Sequence, residues 1–150
     1  MVRTLAGGFV LDDDPGRVDV AEVHRFLSEE SYWARGRPRE TVERLVREAT
    51  RLVGLYAPDG RQLGFARAVS DGVAFAYLAD VYVHPDVRGR GLGTELVREL
   101  VERGPLAGVK WLLHTEDAHG VYERVGFGVP SRKLMEREGP RPGDRGPSSP

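Results

Sequence analysis

Cysteine is absent from this chain of 150 residues, lysine occurs only twice, and the formal charges nearly cancel, leaving −1. Each scarcity removes a class of function. Without cysteine there is no disulfide framework, no thiolate nucleophile and no cysteine-based zinc site. A general nucleic-acid binder needs a basic excess to neutralise phosphates, so no nucleic-acid partner is expected. The longest apolar runs, such as Ala74 to Ala79, fall far short of the ~20 residues that cross a bilayer, so no membrane partner is expected either. The stretch Met1 to Gly8 has no signal-peptide core, which makes a cytoplasmic location the expectation. Arginine outnumbers lysine 20 to 2, a bias read as GC-rich coding rather than as a binding surface.

What remains is ordinary for a soluble globular domain: 40% apolar and 30% charged residues, enough for one sizeable core. Phe9 to Leu11 reads as a first strand before the acidic turn Asp12 to Gly16. Asp19 and Glu22 match a capping box, and Val20, Val23 and Leu27 follow at helical spacing. A loop rich in aromatic and basic groups, Ser31 to Pro38, separates this helix from a second that starts near Pro38 and buries Val42, Leu45, Val46 and Ala49. The period then changes. Arg51 to Ala57 and Gln62 to Ser70 flank Pro58-Asp59-Gly60-Arg61 as a hairpin, and Val73 to Val83 is apolar enough for a central, fourth strand. A third helix follows, with Leu92, Leu96, Leu100 and Val101 inward and Gly104-Pro105 as its stop. Lys110 to His114 reads as a fifth strand, Asp117 to Val125 as a short helix, and Phe127 to Val129 and Lys133 to Met135 as short strand pieces. The last residues, from 139 to 150, contain no apolar side chain, so a folded domain over 1–138 and a disordered tail over 139–150 are expected.

The chemically informative segment runs from Val83 to Thr94, between the fourth strand and the third helix. Glycines 89, 91 and 93 stand there at alternate positions. Such a run is costly unless a ligand or a backbone approaches closely. Backbone amides crowded at a helix start form an anion site, and Arg88 and Arg90 add to its field. A dinucleotide fingerprint would need a third glycine at position 94, which is Thr94. A Walker loop would need Gly-Lys-Ser/Thr, which is missing. A plain glycine-rich turn that packs helix on sheet remains the alternative. The surviving pattern, Arg88-x-x-Gly91-x-Gly93, resembles the pyrophosphate loop of the GNAT family of N-acetyltransferases. A second stretch, Ala118-His119-Gly120-Val121-Tyr122-Glu123-Arg124-Val125-Gly126-Phe127, is similar to another signature of that family, and Tyr122 stands 29 residues beyond Gly93.

The resemblance, over roughly residues 8–137, implies a GNAT fold of mixed α/β (α+β) class. Such a fold has a central, mostly antiparallel twisted sheet of six to seven strands, about four helices on both faces, and a splay between its fourth and fifth strands. It implies an acyl-CoA-dependent N-acetyltransferase with acetyl-CoA as co-substrate, no metal, a primary amine of a small molecule or peptide as acceptor, and a possible homodimer. By resemblance, Val81 and Val83 line the pantetheine arm. Arg88, Gly89, Arg90, Gly91, Leu92, Gly93 and Thr94 take the pyrophosphate, with Arg124 near a phosphate or on a solvated face. Tyr122 protonates the leaving thiolate. Asp80, on one strand face with Leu78 and Tyr82, is the candidate base, with an arginine-paired structural role as the equal alternative; His119 and His114 are further candidates. Tyr32 and Trp33, in a Ser-Tyr-Trp-Ala stretch similar to one in a bacterial subgroup of the family, border the acceptor either as a cage or as a hydrophobic plug. The chain departs from the family pattern at Thr115, where many members carry asparagine, and at Ala79, where some carry a catalytic glutamate. A coenzyme-A-binding sensor without turnover is the competing function.

Overall fold

The computed structural model describes residues 1–139; the rest of the expected tail, 140–150, lies outside the described residues. Six strands form one sheet in sequence order: β1 (Val2–Thr4), β2 (Val10–Asp12), β3 (Arg51–Tyr56), β4 (Gln62–Ser70), β5 (Phe75–Val83) and β6 (Lys110–Leu112). All neighbours are antiparallel except β5 and β6, which are parallel. The parallel pair needs a crossover, and helix α3 (Leu92–Glu102) supplies it. Helices α1 (Val20–Glu29) and α2 (Arg39–Glu48) join β2 to β3, and α4 (His119–Glu123) follows β6.

The two faces of the sheet carry separate cores. Val23, Phe26 and Leu27 of α1 and Val42 and Val46 of α2 pack with Leu52, Phe65 and Tyr82. On the other face Leu92, Leu96, Val97 and Leu100 of α3 pack with Val53, Leu55, Ala66, Ala68 and Leu78, and Val121, Tyr122 and Val125 join them. Each large apolar side chain moved from water into such a core contributes about 1.5–3 kcal/mol, which is what fixes the helices to their faces. Two polar contacts anchor α3 further. Arg51 donates to the carbonyls of Glu99 and Leu100 near the helix C-terminus, and buried Glu99 accepts from Arg3 of β1 at 2.7 Å. That ion pair ties in the short first strand, which the sequence pattern alone does not reveal.

Several boundaries differ from the sequence expectation for local reasons. Asp19 does cap α1, accepting from the Glu22 amide, but Glu22 does not return the bond; Gln62 takes the Asp19 amide and Glu22 turns to Arg25. Pro38, with ψ of 150°, is the cap of α2 rather than its first turn. Strand β5 begins at Phe75 instead of Val73, because the Asp71 carboxylate collects the amides of Val73, Ala74 and Phe75. The short strands expected at Phe127 to Val129 and Lys133 to Met135 do not form. The Phe127 amide closes the α4 turn onto Tyr122 O, and Val129 and Met135 are almost fully exposed, with no face to bury. The sheet therefore ends at β6 among the described residues.

Candidate active site

Strand β6 pairs only with Phe75, Ala76 and Tyr77 of β5. From Leu78 to Val83 the β6-side edge of β5 has no strand partner, so the sheet opens there. Because β1 precedes the expected first strand, the expected splay of fourth and fifth strands lies between β5 and β6. At the N-terminal part of this opening β5 carries a bulge. Phe65 faces Tyr82 and Arg67 faces Ala79, so Asp80 and Val81 together oppose Ala66 alone. Asp80 takes up the extra residue at φ +54°, the sole non-glycine with positive φ among the described residues. Aspartate tolerates this left-handed geometry better than most side chains. The bulge also reverses the alternation: Leu78 points to the α3 side and Tyr82 to the α1 side. The expectation that Asp80 shares one strand face with both is therefore corrected, since a single inserted residue inverts every position beyond it.

Asp80 is buried and fully engaged. Its Oδ1 accepts from Trp33 Nε1 at 2.8 Å, and its Oδ2 accepts from Arg67 Nε at 2.7 Å and Arg37 at 2.9 Å. Burial alone would raise the carboxyl, but Arg67 and Arg37, helped by the hydrogen bonds, bring it below its ordinary value. A carboxylate held in that state is a poor proton acceptor. This is the arginine-paired alternative of the sequence reading, and Asp80 acts as the anchor of the 31–38 loop. Tyr32 pins the same loop to the other side of the opening, its hydroxyl accepting from the Glu116 amide at 3.0 Å. The rings of Tyr32 and Trp33 meet edge-on at 5.1 Å, and each is more than two-fifths exposed.

At the far end of the unpartnered edge lies the glycine loop. Gly89 and Gly91 have φ of +80° and +75°, and a Cβ on either would meet no protein atom within 4 Å. The amides of residues 89–94 donate to no protein acceptor, whereas Glu95 already bonds Gly91 O. Leu92 is buried in the α3 core, but residues 88–91 are exposed, so these donors face outward rather than into packed protein. The cradle has the shape and polarity of a phosphate site. Arg88 folds back to donate to Val83 O at 3.0 Å, which occupies one of the two backbone positions expected to line the pantetheine arm; Val81 lies in the bulge. Arg90 approaches the Phe9 ring at 6.0 Å, and Arg124 is exposed at the C-cap of α4.

Tyr122 of α4 packs edge-on against Phe127. Burial, then the neighbouring Tyr32 and Asp117, push its phenol up to about 12, so it carries its proton throughout the physiological range. Thr115, in the departure from the family pattern, accepts from the Ala118 amide and caps the turn leading into α4. His119 opens α4, exposed. Sequence reasoning missed Arg37 and Arg67, which hold Asp80, and Tyr77, whose hydroxyl bonds His114. Alternation along β5 brings Tyr77 to one face, but nothing local marks a partner 37 residues away. A polar hollow of about 500 Å³ lies elsewhere, between α1 and the β3–β4 turn. Two of its cations are already paired, Arg17 with Asp12 and Arg25 with Glu22, and none of the expected site residues lines it.

The family model for the acetyltransferase (GNAT) family matches residues 20–127. The chain belongs to the GNAT acetyltransferase family. A solved structure described as an acetyltransferase of the GNAT family, from Xanthomonas campestris pv. campestris, is 38% identical with a TM-score of 0.81, over 88% of this chain and 94% of that one. A protein from Gibberella zeae named for acetyltransferase activity is 26% identical, over 81% of this chain and 80% of its own length. Serotonin N-acetyltransferase 2 of Oryza sativa subsp. japonica is 32% identical over 83% of this chain but only 64% of its own length. The chain spans about half of the related uncharacterised N-acetyltransferase from Pyropia yezoensis, 55% of it. For this GNAT chain the fold expectation holds in its main terms: a mixed, mostly antiparallel open sheet of six strands with four helices on both faces.

Proposed function

We propose that the chain is an N-acetyltransferase that moves the acetyl group of acetyl-coenzyme A to a primary amine of a small molecule or peptide by direct attack. The observation that carries this reading is the row of unpaired amides at residues 89–94, which follows the open edge of β5 in the chain. The co-substrate would supply an activated thioester. The protein's share is to hold the diphosphate on the amides of Gly89, Arg90, Gly91, Leu92, Gly93 and Thr94, with Arg88, once released from Val83 O, and exposed Arg124 as candidate side-chain partners of the phosphates. The β5 backbone at Val81 is the candidate donor for the developing oxyanion. Tyr122, still protonated at neutral pH, is the acid for the departing thiolate, a step worth about 10²-fold because a thiol of pKa ~8.5 leaves readily. Tyr32 and Trp33 form the exposed wall toward the acceptor. The name of the rice relative adds an arylalkylamine to the acceptors worth trying.

One observation favours the non-catalytic reading: the arginine clamp on Asp80 removes the carboxylate that would serve as base. Two measurements separate the possibilities. Calorimetric titration with coenzyme A and its dephospho form is expected to show binding of both, and no heat with either would remove the family's chemistry from this chain. Release of free thiol from acetyl-coenzyme A is then followed across alkylamines, peptide amines and serotonin. Binding without thiol release from any of them would leave the sensor reading in place.

A further inference from the structure

The acceptor amine arrives as an ammonium, because alkylamines have a pKa of roughly 10.4, and it must lose a proton before it can attack. With Asp80 clamped, another group must take that proton. Ala76 and Leu78 point into the α3-side core, so Tyr77 between them points to the opposite face, the face of α1 and of the 31–38 loop. Tyr77 is also the last β5 residue paired with β6, opposite Leu112, which places it at the closed end of the opening. Its hydroxyl bonds Nδ1 of His114, two residues beyond Leu112, and the other ring nitrogen of His114 lies 3.2 Å from Glu136 Oε1.

This order of groups suits one tautomer of His114. An ionised carboxylate only accepts, so a proton on Nε2 faces Glu136 and leaves the Nδ1 lone pair for Tyr77. The Tyr77 O–H then donates to Nδ1, and the phenol oxygen keeps lone pairs for a donor in the opening. The arrangement is that of a carboxylate–imidazole–hydroxyl triad with a phenol in the hydroxyl place.

We propose that Glu136, His114 and Tyr77 form the proton relay that deprotonates the acceptor ammonium, Tyr77 touching the amine. The inference rests on the acetyltransfer reading above. In the step, an ammonium N–H proton passes to the Tyr77 oxygen as the Tyr77 proton passes to His114 Nδ1. The N–H bond and the Tyr77 O–H bond break, while a new O–H and a new Nδ1–H form. The products are a neutral amine, a neutral phenol and an imidazolium held by Glu136. His114 is more than half exposed, so it returns the proton to water. Other charged groups act on the relay: Arg67 and Asp80 on Tyr77, and Arg137 and Glu138 around the hollow that His114 and Glu136 line. The acid and the base thus stand on opposite faces of the sheet. Tyr122 packs with the α3-side core, and Tyr77 faces the acceptor side.

The test pairs a ligand-free readout with kinetics. In the free protein, ¹⁵N spectra of His114 are expected to show a protonated Nε2 and an unprotonated Nδ1 at neutral pH, with the Nδ1 signal moving in Tyr77→Phe. A protonated Nδ1 overturns the relay. Thiol release with the best amine is then measured from pH 5.5 to 9.5. Tyr77→Phe and His114→Ala are each expected to lose about 10²-fold in kcat, with coenzyme A affinity unchanged and the double variant no slower than either single one. Added imidazole should restore His114→Ala but not the double variant. Variants that match the wild type at every pH overturn the relay alone and leave acetyltransfer standing. A wild type that binds coenzyme A yet releases no thiol overturns both.

Discussion

The two flanks of the β5–β6 opening are built in different ways. The flank proposed for the cofactor is one continuous segment, residues 84–94, whose outward amides follow from glycines at 89 and 91 with positive φ. The flank proposed for the acceptor is assembled from distant parts: Trp33 and Arg37 from the loop between α1 and α2, Arg67 from β4 and Asp80 from the β5 bulge. On the first, the outward donors are backbone amides, with open space above Gly89 and Gly91. On the second, side chains lock one another in place. The cofactor flank should therefore be sensitive to added atoms and the acceptor flank to removed ones.

The largest expected effect is on the acceptor flank. Asp80→Ala leaves Arg37 and Arg67 partly buried without their counter-ion, and breaking such a pair costs about 3–5 kcal/mol. For a chain of this size, each kcal/mol lowers Tm by about 2–4 °C, so a drop on the order of 10 °C is expected in thermal unfolding. The linked pH effect has a definite sign. The folded-state pKa of Asp80 is lowered, so near and below the ordinary carboxylate value of about 3.9 the unfolded chain binds the extra proton and stability rises with pH. The contribution is complete above that value and disappears as pH falls through the lowered one. Thermal melts from pH 2 to 6 should show this acid loss in the wild type and a shallower one in Asp80→Asn. Equal slopes would mean that the clamp contributes nothing.

Next comes Gly91→Val on the cofactor flank. No protein atom blocks the new side chain, but φ of +75° is strained for a branched residue, by about 1–2 kcal/mol. The branched group also stands where the anion must approach. Losing two charge-assisted hydrogen bonds of about 1.5–3 kcal/mol each would weaken coenzyme A on the order of 10³-fold, with a melting shift of only a few degrees. A Kd within threefold of wild type would show that the diphosphate does not use this row.

How far each flank could be read from sequence follows from the same difference. Arg88-x-x-Gly91-x-Gly93 and Tyr122 are local patterns, so loop, helix start and order of elements were legible, as were the capping of α1 by Asp19 and the buried face of α3. The Asp80 bulge was not. Strand periodicity assumes one residue per step, and an inserted residue leaves no mark in the apolar pattern. Three-residue strands such as β1 fall below any periodic signal, and its hold on the fold comes from the Arg3–Glu99 pair, 96 positions apart. The expected last strands failed for the converse reason. Lys133 to Met135 has strand-like residues but no surface left to cover.

Tyr122 packs with the α3-side core, and removal of its hydroxyl should affect chemistry alone. Tyr122→Phe deletes one oxygen from a ring that already packs against Phe127. A loss of about 10²-fold in kcat is expected, with coenzyme A affinity within twofold. Because its phenol titrates at about 12, wild-type turnover should not fall on its account below pH 10. Unchanged turnover in the variant would remove the phenol from the mechanism.

The smallest effect separates anchoring from contact on the acceptor flank. Trp33→Phe keeps an aromatic ring against Tyr32 but deletes the indole N–H that Asp80 accepts at 2.8 Å. Asp80 retains both arginines, so its charge stays compensated, and only one hydrogen bond to a charged group is lost. That bond is worth about 1.5–3 kcal/mol at most, less here because water reaches the half-open ring. If Trp33 only anchors the loop, stability falls by about 1 kcal/mol, and KM and kcat for the acceptor drift together as the loop loosens. If the ring face also carries the acceptor, Trp33→Phe shifts KM by less than Trp33→Ala does, in steps that follow the lost aromatic area rather than the lost hydrogen bond. The order of the three KM values, read beside the three melting temperatures, shows whether this wall of the opening is a strut or a binding surface.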